Sequence, residues 1–453
     1  MSRKLFVSLE DGDVNPGIEV GATTGDAELE SQIADVSDAG GEVHEMVAAV
    51  EDGVDEIENL EDVGDVVERT TEDGAEGVSP EAAEIAEIAV ERARYKLGLR
   101  ATRVMPSTEA FGSRQSRLSA TKIGTEGIWD TIKEAWAKIK AMFVAMWKKI
   151  VDFCAKVFTG AGRLKGRAAA LAKKAATGGN EKKEEEFKND SIVNAFAVGG
   201  SFTEANVLTI LANHSEAVKD VNGLIDSGSK AIKEVATYVE KASKGKDLSG
   251  VKAEMMAKFK AQAGSIKFAQ DGAELAKQSG HDGQVTAAVA TKQLVDNKAI
   301  LFVMESVGSG DDNVSVVSLD VVDYTKQEES LKDVDVKVAD RNAMVQIAKR
   351  VESLADELMK FSTQQKQSKE IGGAVNDIFN KVEAAISKFA GSKNEAEAAE
   401  AKEAAATVNE ARKVVTSVGK AASSGTIHLQ TLSLKAGNSA LNYVQASLSN
   451  YKG

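Results

Sequence analysis

One cysteine, Cys154, stands in a chain of 453 residues. No internal disulfide can form, which excludes a small secreted disulfide scaffold, and one thiol cannot build a thiolate metal site. Prolines number three, Pro16, Pro80 and Pro106. From Ser107 to Gly453, therefore, no ring fixes φ or removes a backbone donor, and a long tract rich in Ala and Lys is free to stay helical. Long apolar runs are missing as well. The apolar run in Met1–Glu10 is too short for a secretory leader, and no window reaches the roughly 18 apolar residues of a membrane-spanning helix. The expectation is a protein made in a cytoplasm and soluble there.

Recognisable site chemistry is also missing. The four histidines, His44, His214, His281 and His428, have no second ligand at i+3 or i+4, so no zinc site is legible. No phosphate-binding Gly-x-x-x-x-Gly-Lys-Ser/Thr loop occurs, and no serine lies in a nucleophile elbow. Asp11, Asp13 and Asn15 begin like a calcium loop, but Pro16 falls where that loop needs Gly and Ala22 where it needs Glu. Asp311, Asp312 and Asn313 suit a turn between strands better than a cation site. A non-enzyme is expected, with no catalytic residue, metal or cofactor.

What is present is an uneven charge distribution. The whole chain has 70 acidic and 56 basic residues, a net charge of −14. Residues 1–109 hold 28 acidic and 8 basic, a net charge of −20, and residues 110–453 hold the other 42 acidic and 48 basic, a net charge of +6. Within the acidic part, Val43, Val47, Val50, Val54, Ile57, Leu60, Val63 and Val67 recur at helical spacing and give one apolar stripe, weakened by Gly53 and Gly64. Ser79 as N-cap, Pro80 at the first helical position and Glu81 in the first turn predict a second helix running to about Leu99. The Ser-, Gly- and Arg-rich stretch from Arg100 to Arg117 is an expected exposed linker, where a protease would gain access. An acidic stretch of this kind suits either a solvated tail or a propeptide.

Residues 128–158 carry the strongest pattern. Trp129, Trp136, Phe143, Ile150 and Val157 are seven apart, and Ile132, Ile139, Met146 and Phe153 each lie three further on. Trp147 completes the set of three tryptophans. Lysines 133, 138, 140, 148, 149 and 156 flank the seam, making the helix amphipathic and basic. Three fates suit it: packing on the chain's own C-terminal helices, docking on a partner or a second copy, or lying in a membrane interface.

The polar run Gly178–Asp190 is an expected boundary. Beyond it, the spacing Ser201-Phe-Thr-Glu204 predicts a capping box opening a helix with Val207, Leu208, Leu211, Val218, Val221 and Ile225 on one side. Further helices are expected over Met344–Phe361, Val375–Phe389 and Asn394–Ala406. Between them, Ala299–Met304 and Val314–Val322 flank a Gly/Asp/Asn loop and predict a hairpin, with Val334, Val336 and Val338 as a possible third strand. The fold class is mainly α with one small sheet: an acidic helical region over 1–109, a basic linker and Trp/Lys helix over 110–180, and an α-rich body over 181–453 with its sheet around 299–338.

Taken together, an acidic leading segment, a Ser-x-Glu junction at Ser107-Thr108-Glu109 before Ala110, a basic Trp/Lys helix and a helical body resemble the internal head (inner-body) structural proteins of phiKZ-like giant tailed phages. The same triplet spacing occurs at Ser8-Leu9-Glu10, Ser79-Pro80-Glu81 and Ser368-Lys369-Glu370, so position at the charge boundary singles out Glu109. The resemblance implies a virion structural protein of the capsid interior. It would be made as a precursor and cut after Glu109 by a prohead protease, with the propeptide acting in assembly. The partners it implies are the prohead protease, other capsid or inner-body proteins and, non-specifically, packaged DNA. The alternative is a membrane-surface or partner-binding protein in which the acidic part stays attached and masks the basic helix.

Overall fold

Proline-free helical periodicity lets one long central helix gather three others around it. The computed structural model describes residues 24–71, 76–242, 270–281, 284–307, 314–325, 331–360, 373, 376–377, 380 and 425–452. The helices are α1 (Thr24–Arg69), α2 (Pro80–Lys96), α3 (Arg114–Thr177), α4 (Asp190–Phe196), α5 (Glu204–Ala242), α6 (Ala273–Gln278) and α7 (Arg341–Lys360). A last helix, α8, covers residues 425–449. Of the helix expected over 375–389 only residues 376–377 and 380 are described, and they are helical. The helix expected over 394–406, the loop 308–313, Asp11, Asp13, Asn15 and the triplets at Ser8 and Ser368 lie outside the described residues.

Local signals set several ends. Ser79 caps α2 by accepting the Ala82 N–H at 3.2 Å, and Pro80 holds the first position. For α3, Ser113 and Ser116 cap each other's backbone reciprocally, so the helix starts at Arg114 and takes in the end of the expected linker. At its other end the Arg341 guanidinium of α7 donates to the carbonyls of Lys174 and Ala175 (3.2 and 3.1 Å) and lies 4.5 Å from the Tyr451 ring centre. A cation there satisfies orphan carbonyls and opposes the helix dipole.

The expected Ser201–Glu204 capping box does not form. Gly199 and Gly200, at φ +58° and +75°, make a tight turn in which Val198 and Ser201 exchange backbone hydrogen bonds. Thr203 caps α5 instead, accepting the Asn206 N–H at 3.3 Å. Two glycines in the left-handed region favour a hairpin turn over a capping box.

The β structure is divided in two. Strands β4 (Lys298–Val307) and β5 (Val314–Asp323) pair antiparallel as the predicted hairpin, with Phe302 opposite Leu319. They extend through β3 (Gln284–Ala290) to β2 (Gln270–Asp271), giving an antiparallel sheet of order β2-β3-β4-β5. The strand expected near Val336 is β6 (Asp335–Lys337), but it pairs with β1 (Glu186–Lys188) in a separate two-stranded ribbon. β1 lies inside the polar run 178–190, too short and too charged to announce itself as a strand.

The main apolar core is continuous from Leu29 in α1, through α3 and α7, to Tyr451. One buried polar side chain is held on both sides. His214 of α5 is fully buried, with Nδ1 2.9 Å from the Ser433 hydroxyl of α8 and Nε2 accepting the Val295 N–H at 3.1 Å.

Candidate functional site on the aromatic helix

The apolar stripe of α1 meets the aromatic seam of α3 along most of its length. The two helices run antiparallel: a Cβ at Gly64 would touch Ile128 and Trp129, one at Gly53 would lie 2.1 Å from Ile139 Cδ1, and one at Gly40 would meet Phe153 and Ile427. Ion pairs continue the same register at the rim, with Lys149 to Glu42 at 2.6 Å and Arg163 to Glu28 at 3.8 Å. Lys156 donates to the Asp35 carbonyl at 3.4 Å. The hydrogen bond from Lys149 lowers the Glu42 carboxyl below its ordinary range, and Glu42 raises Lys149. Among the described residues, the most acidic helix thus lies on the one that carries all three tryptophans and a flank of lysines.

Seam residues Ile132, Trp136, Ile139, Phe143, Met146, Trp147, Ile150 and Phe153 are all buried, and Trp129 is half-buried. Phe143 and Trp147 make a tilted ring pair with centres 5.9 Å apart. The rest of α3 is covered by the body. Lys165 pairs with Asp356 of α7 at 2.7 Å, Gly160 lies against Leu434 of α8, and Arg167 donates to Asn438, Asn442 and Gln445. Burial also pushes the Cys154 thiol up to about 12, so it stays protonated and unreactive at neutral pH. The seam in the full chain packs on the chain itself, and one of its two coverings is the acidic segment.

Glycine is what lets α1 come close. Gly53 and Gly64 weaken α1 as an isolated helix, yet they make room for Ile139 and for Ile128 and Trp129 of α3. Gly41, one residue from Gly40, has nothing within 4 Å of where a Cβ would be. Gly41→Ala is therefore expected to stabilise the protein by about 0.5–1 kcal/mol through helix propensity. Gly53→Leu is expected to cost about 1–3 kcal/mol by overpacking. Urea midpoints of the two variants should move in opposite directions.

The connection from α2 to α3 is a strap rather than a free linker. Buried Glu87 of α2 accepts the backbone N–H groups of Val104 (3.0 Å) and Met105 (2.5 Å). Buried Arg94 donates to the Arg100 carbonyl at 2.8 Å, to Thr131 at 2.9 Å and to Glu134 at 2.8 Å. Met105 and Val104 sit over Gly124 and Gly127 of α3, where any Cβ would collide with them. Sequence reading missed Glu87 and Arg94. Their signal was two ionisable residues on the apolar face of α2, among Ala83, Ala86, Val90 and Ala93.

The strap lies at the surface over residues 100–103 and again beyond Pro106. Ser107, Thr108 and Glu109 are exposed, and Ala110 is half-buried. Thr108–Phe111 forms a single 3-10 turn closed by the Ala110 N–H to the Ser107 carbonyl at 2.8 Å. Phe111, 2% exposed, anchors its far side. The Ser107 side chain makes no cap hydrogen bond, whereas Ser79, in the competing triplet, is committed to capping α2. Among the described residues no group of three or more His, Cys, Asp or Glu is placed to hold a metal ion, and no helix is long and apolar enough to cross a membrane.

A family model described as phiKZ-like phage internal head proteins matches residues 25–446. The chain belongs to this family. No curated protein and no solved structure matches it. As a phiKZ-like internal head protein it is a structural component located inside the phage capsid. The match takes in α1, the strap, α3 and most of α8.

Proposed function

We infer that this internal head protein is a precursor whose residues 1–109 serve as an assembly prosegment, and that a prohead protease cuts after Glu109 as the head matures. The observation that carries the reading is the seating of the acidic helix α1 on the basic, aromatic face of α3, with the chain between them surfacing at Ser107-Thr108-Glu109. While attached, α1 keeps the seam out of water and neutralises Lys149 and Arg163. A protease needs the chain extended, and opening one 3-10 turn breaks few contacts. The cut separates the −20 segment from a +6 product, whose lysines and arginines suit a position beside packaged DNA through non-specific attraction. Other inner-body proteins are its remaining partners.

The same mask also supports a second reading, in which the chain stays whole and α3 acts on a membrane surface or partner once α1 moves aside. Intact mass and N-terminal sequencing of the protein from virions separate the two. A mature N-terminus at Ala110 is expected, and Glu109→Ala should leave the precursor at full length. A chain in virions that still begins near Met1 would overturn the processing reading. In that case vesicle binding that rises when residues 1–109 are deleted would support the mask.

A further inference from the structure

Helix α2 buries one face and leaves the other without a partner. Ala83, Ala86, Glu87, Val90, Ala93 and Arg94 face inward. On the opposite side Ile85 is 68% exposed, Ile88 59% and Tyr95 86%. These three are among the most exposed large apolar residues described, and they share one stripe at i, i+3 and i+10 of a helix only 17 residues long. Scattered surface apolar residues are ordinary, but an aligned apolar stripe on an otherwise committed helix marks a contact surface.

The charges around the stripe indicate what covers it. Going along the exposed face, Glu81 and Glu84 precede Ile85 and Ile88, and Glu91, Arg92 and Lys96 follow. The N-terminal end is acidic, the middle is apolar, and at the C-terminal end Arg92 stands beside Glu91. Glu84 and Arg92 complement each other when a second copy is laid antiparallel, the arrangement a two-fold axis generates. With the axis at Ile88, Glu84 lies four residues to one side and Arg92 four to the other, so each Glu84 faces the Arg92 of the other copy. Neither Glu84 nor Arg92 has an ion pair in the monomer among the described residues, whereas Lys96 is held by Glu56.

We propose that α2 is a self-association surface through which two copies of the precursor pair antiparallel across Ile88. A helix of this length is about 25 Å long and cannot supply the ~800 Å² per partner of a standard stable interface, so the pair is weak and concentration-dependent. Because α2 lies within residues 1–109, the cut inferred above would remove the contact from the mature protein. That consequence rests on the processing reading, but the pairing itself does not.

The test is sedimentation velocity of the uncut full-length chain over a concentration series, so that failure of processing cannot affect it. Wild type is expected to show a monomer–dimer equilibrium. Glu84→Arg alone places arginine against arginine, and Arg92→Glu alone places glutamate against glutamate; each should weaken dimerisation about tenfold. An equimolar mixture of the two variants restores both pairs and should dimerise as wild type does, an outcome that altered folding of either variant would not produce. Ile88→Asp should abolish the dimer while leaving helix content by circular dichroism unchanged. A wild-type chain that stays monomeric at every concentration would overturn the proposal. So would a dimer indifferent to Ile88→Asp, or a mixture that dimerises no better than either variant alone.

Discussion

Ile139→Asp is expected to detach the acidic segment from α3. The Ile139 side chain is 0% exposed and lies over Gly53 of α1, close to Leu97 at the start of the strap. The substitution removes a buried aliphatic group and puts a carboxylate into the apolar core. Those two costs together exceed about 4 kcal/mol. The body keeps its own contacts to α3, since Lys165, Arg167 and Gly160 meet α7 and α8 further along the helix. The effect should therefore be local. Limited proteolysis should show residues 24–97 cut much faster, and an apolar dye should bind the uncovered seam. Val144→Asp, five residues on at a site 53% exposed, is the matched control and should change stability by less than about 0.5 kcal/mol. Equal protease resistance in the two variants would mean that α1 is not seated on the seam.

Acid should destabilise the body through His214. Complete burial pushes its imidazole from an ordinary value of 6.5 down to about 3. The sign follows from which state binds the proton. The unfolded chain takes it up near pH 6.5 and the folded chain resists until about pH 3, so neutral His214 contributes stability above pH 6.5 that is lost as pH falls to 3. The loss over that window is on the order of 4–5 kcal/mol. His428 shifts in the same direction, first through burial and then through its neighbour His44, whose ring centre is 5.7 Å away. Asp55, Glu204 and Asp220 work against the trend. Burial raises each of their carboxyls, so the folded state binds their protons more readily as acid is added. Urea unfolding at a series of pH values should show a steep fall below pH 6. His214→Gln should be less stable at neutral pH, since Ser433 and the Val295 N–H lose their partner, yet its stability should depend on pH less steeply. Parallel pH curves for the two proteins would remove His214 from the explanation.

Both predictions depend on which surfaces meet, and that is where sequence and tertiary structure divide. Properties carried within one turn or one strand pair were legible. Ser79, Pro80 and Glu81 announced the start of α2, the spacing of Val43 to Val67 announced the buried stripe of α1, and the runs around 299–304 and 314–322 announced β4 and β5. The charge contrast between residues 1–109 and the remainder also needed only counting. A local rule failed where two local signals competed, as when Gly199 and Gly200 took Ser201 into a turn and left the α5 cap to Thr203.

The long-range pairings were settled by shape. A heptad of aromatic side chains states that a face must be covered and not by what. The coverings are α1 on one side and α7 and α8 on the other, because glycines at 40, 53 and 64 leave room for Phe153, Ile139 and Trp129. In one dimension those glycines count only as poor helix formers. The strap follows the same logic: Glu87 and Arg94 look misplaced on an apolar face until Met105, Arg100 and Thr131 arrive to receive them. Sequence by itself determined the helices, the hairpin and the charge boundary, since backbone propensity and side-chain period act over a few residues. Only the tertiary structure decided that the acidic helix covers the aromatic one and that part of the linker between them is strapped down by Glu87 and Arg94, since complementarity between segments far apart in the chain leaves little trace in either alone.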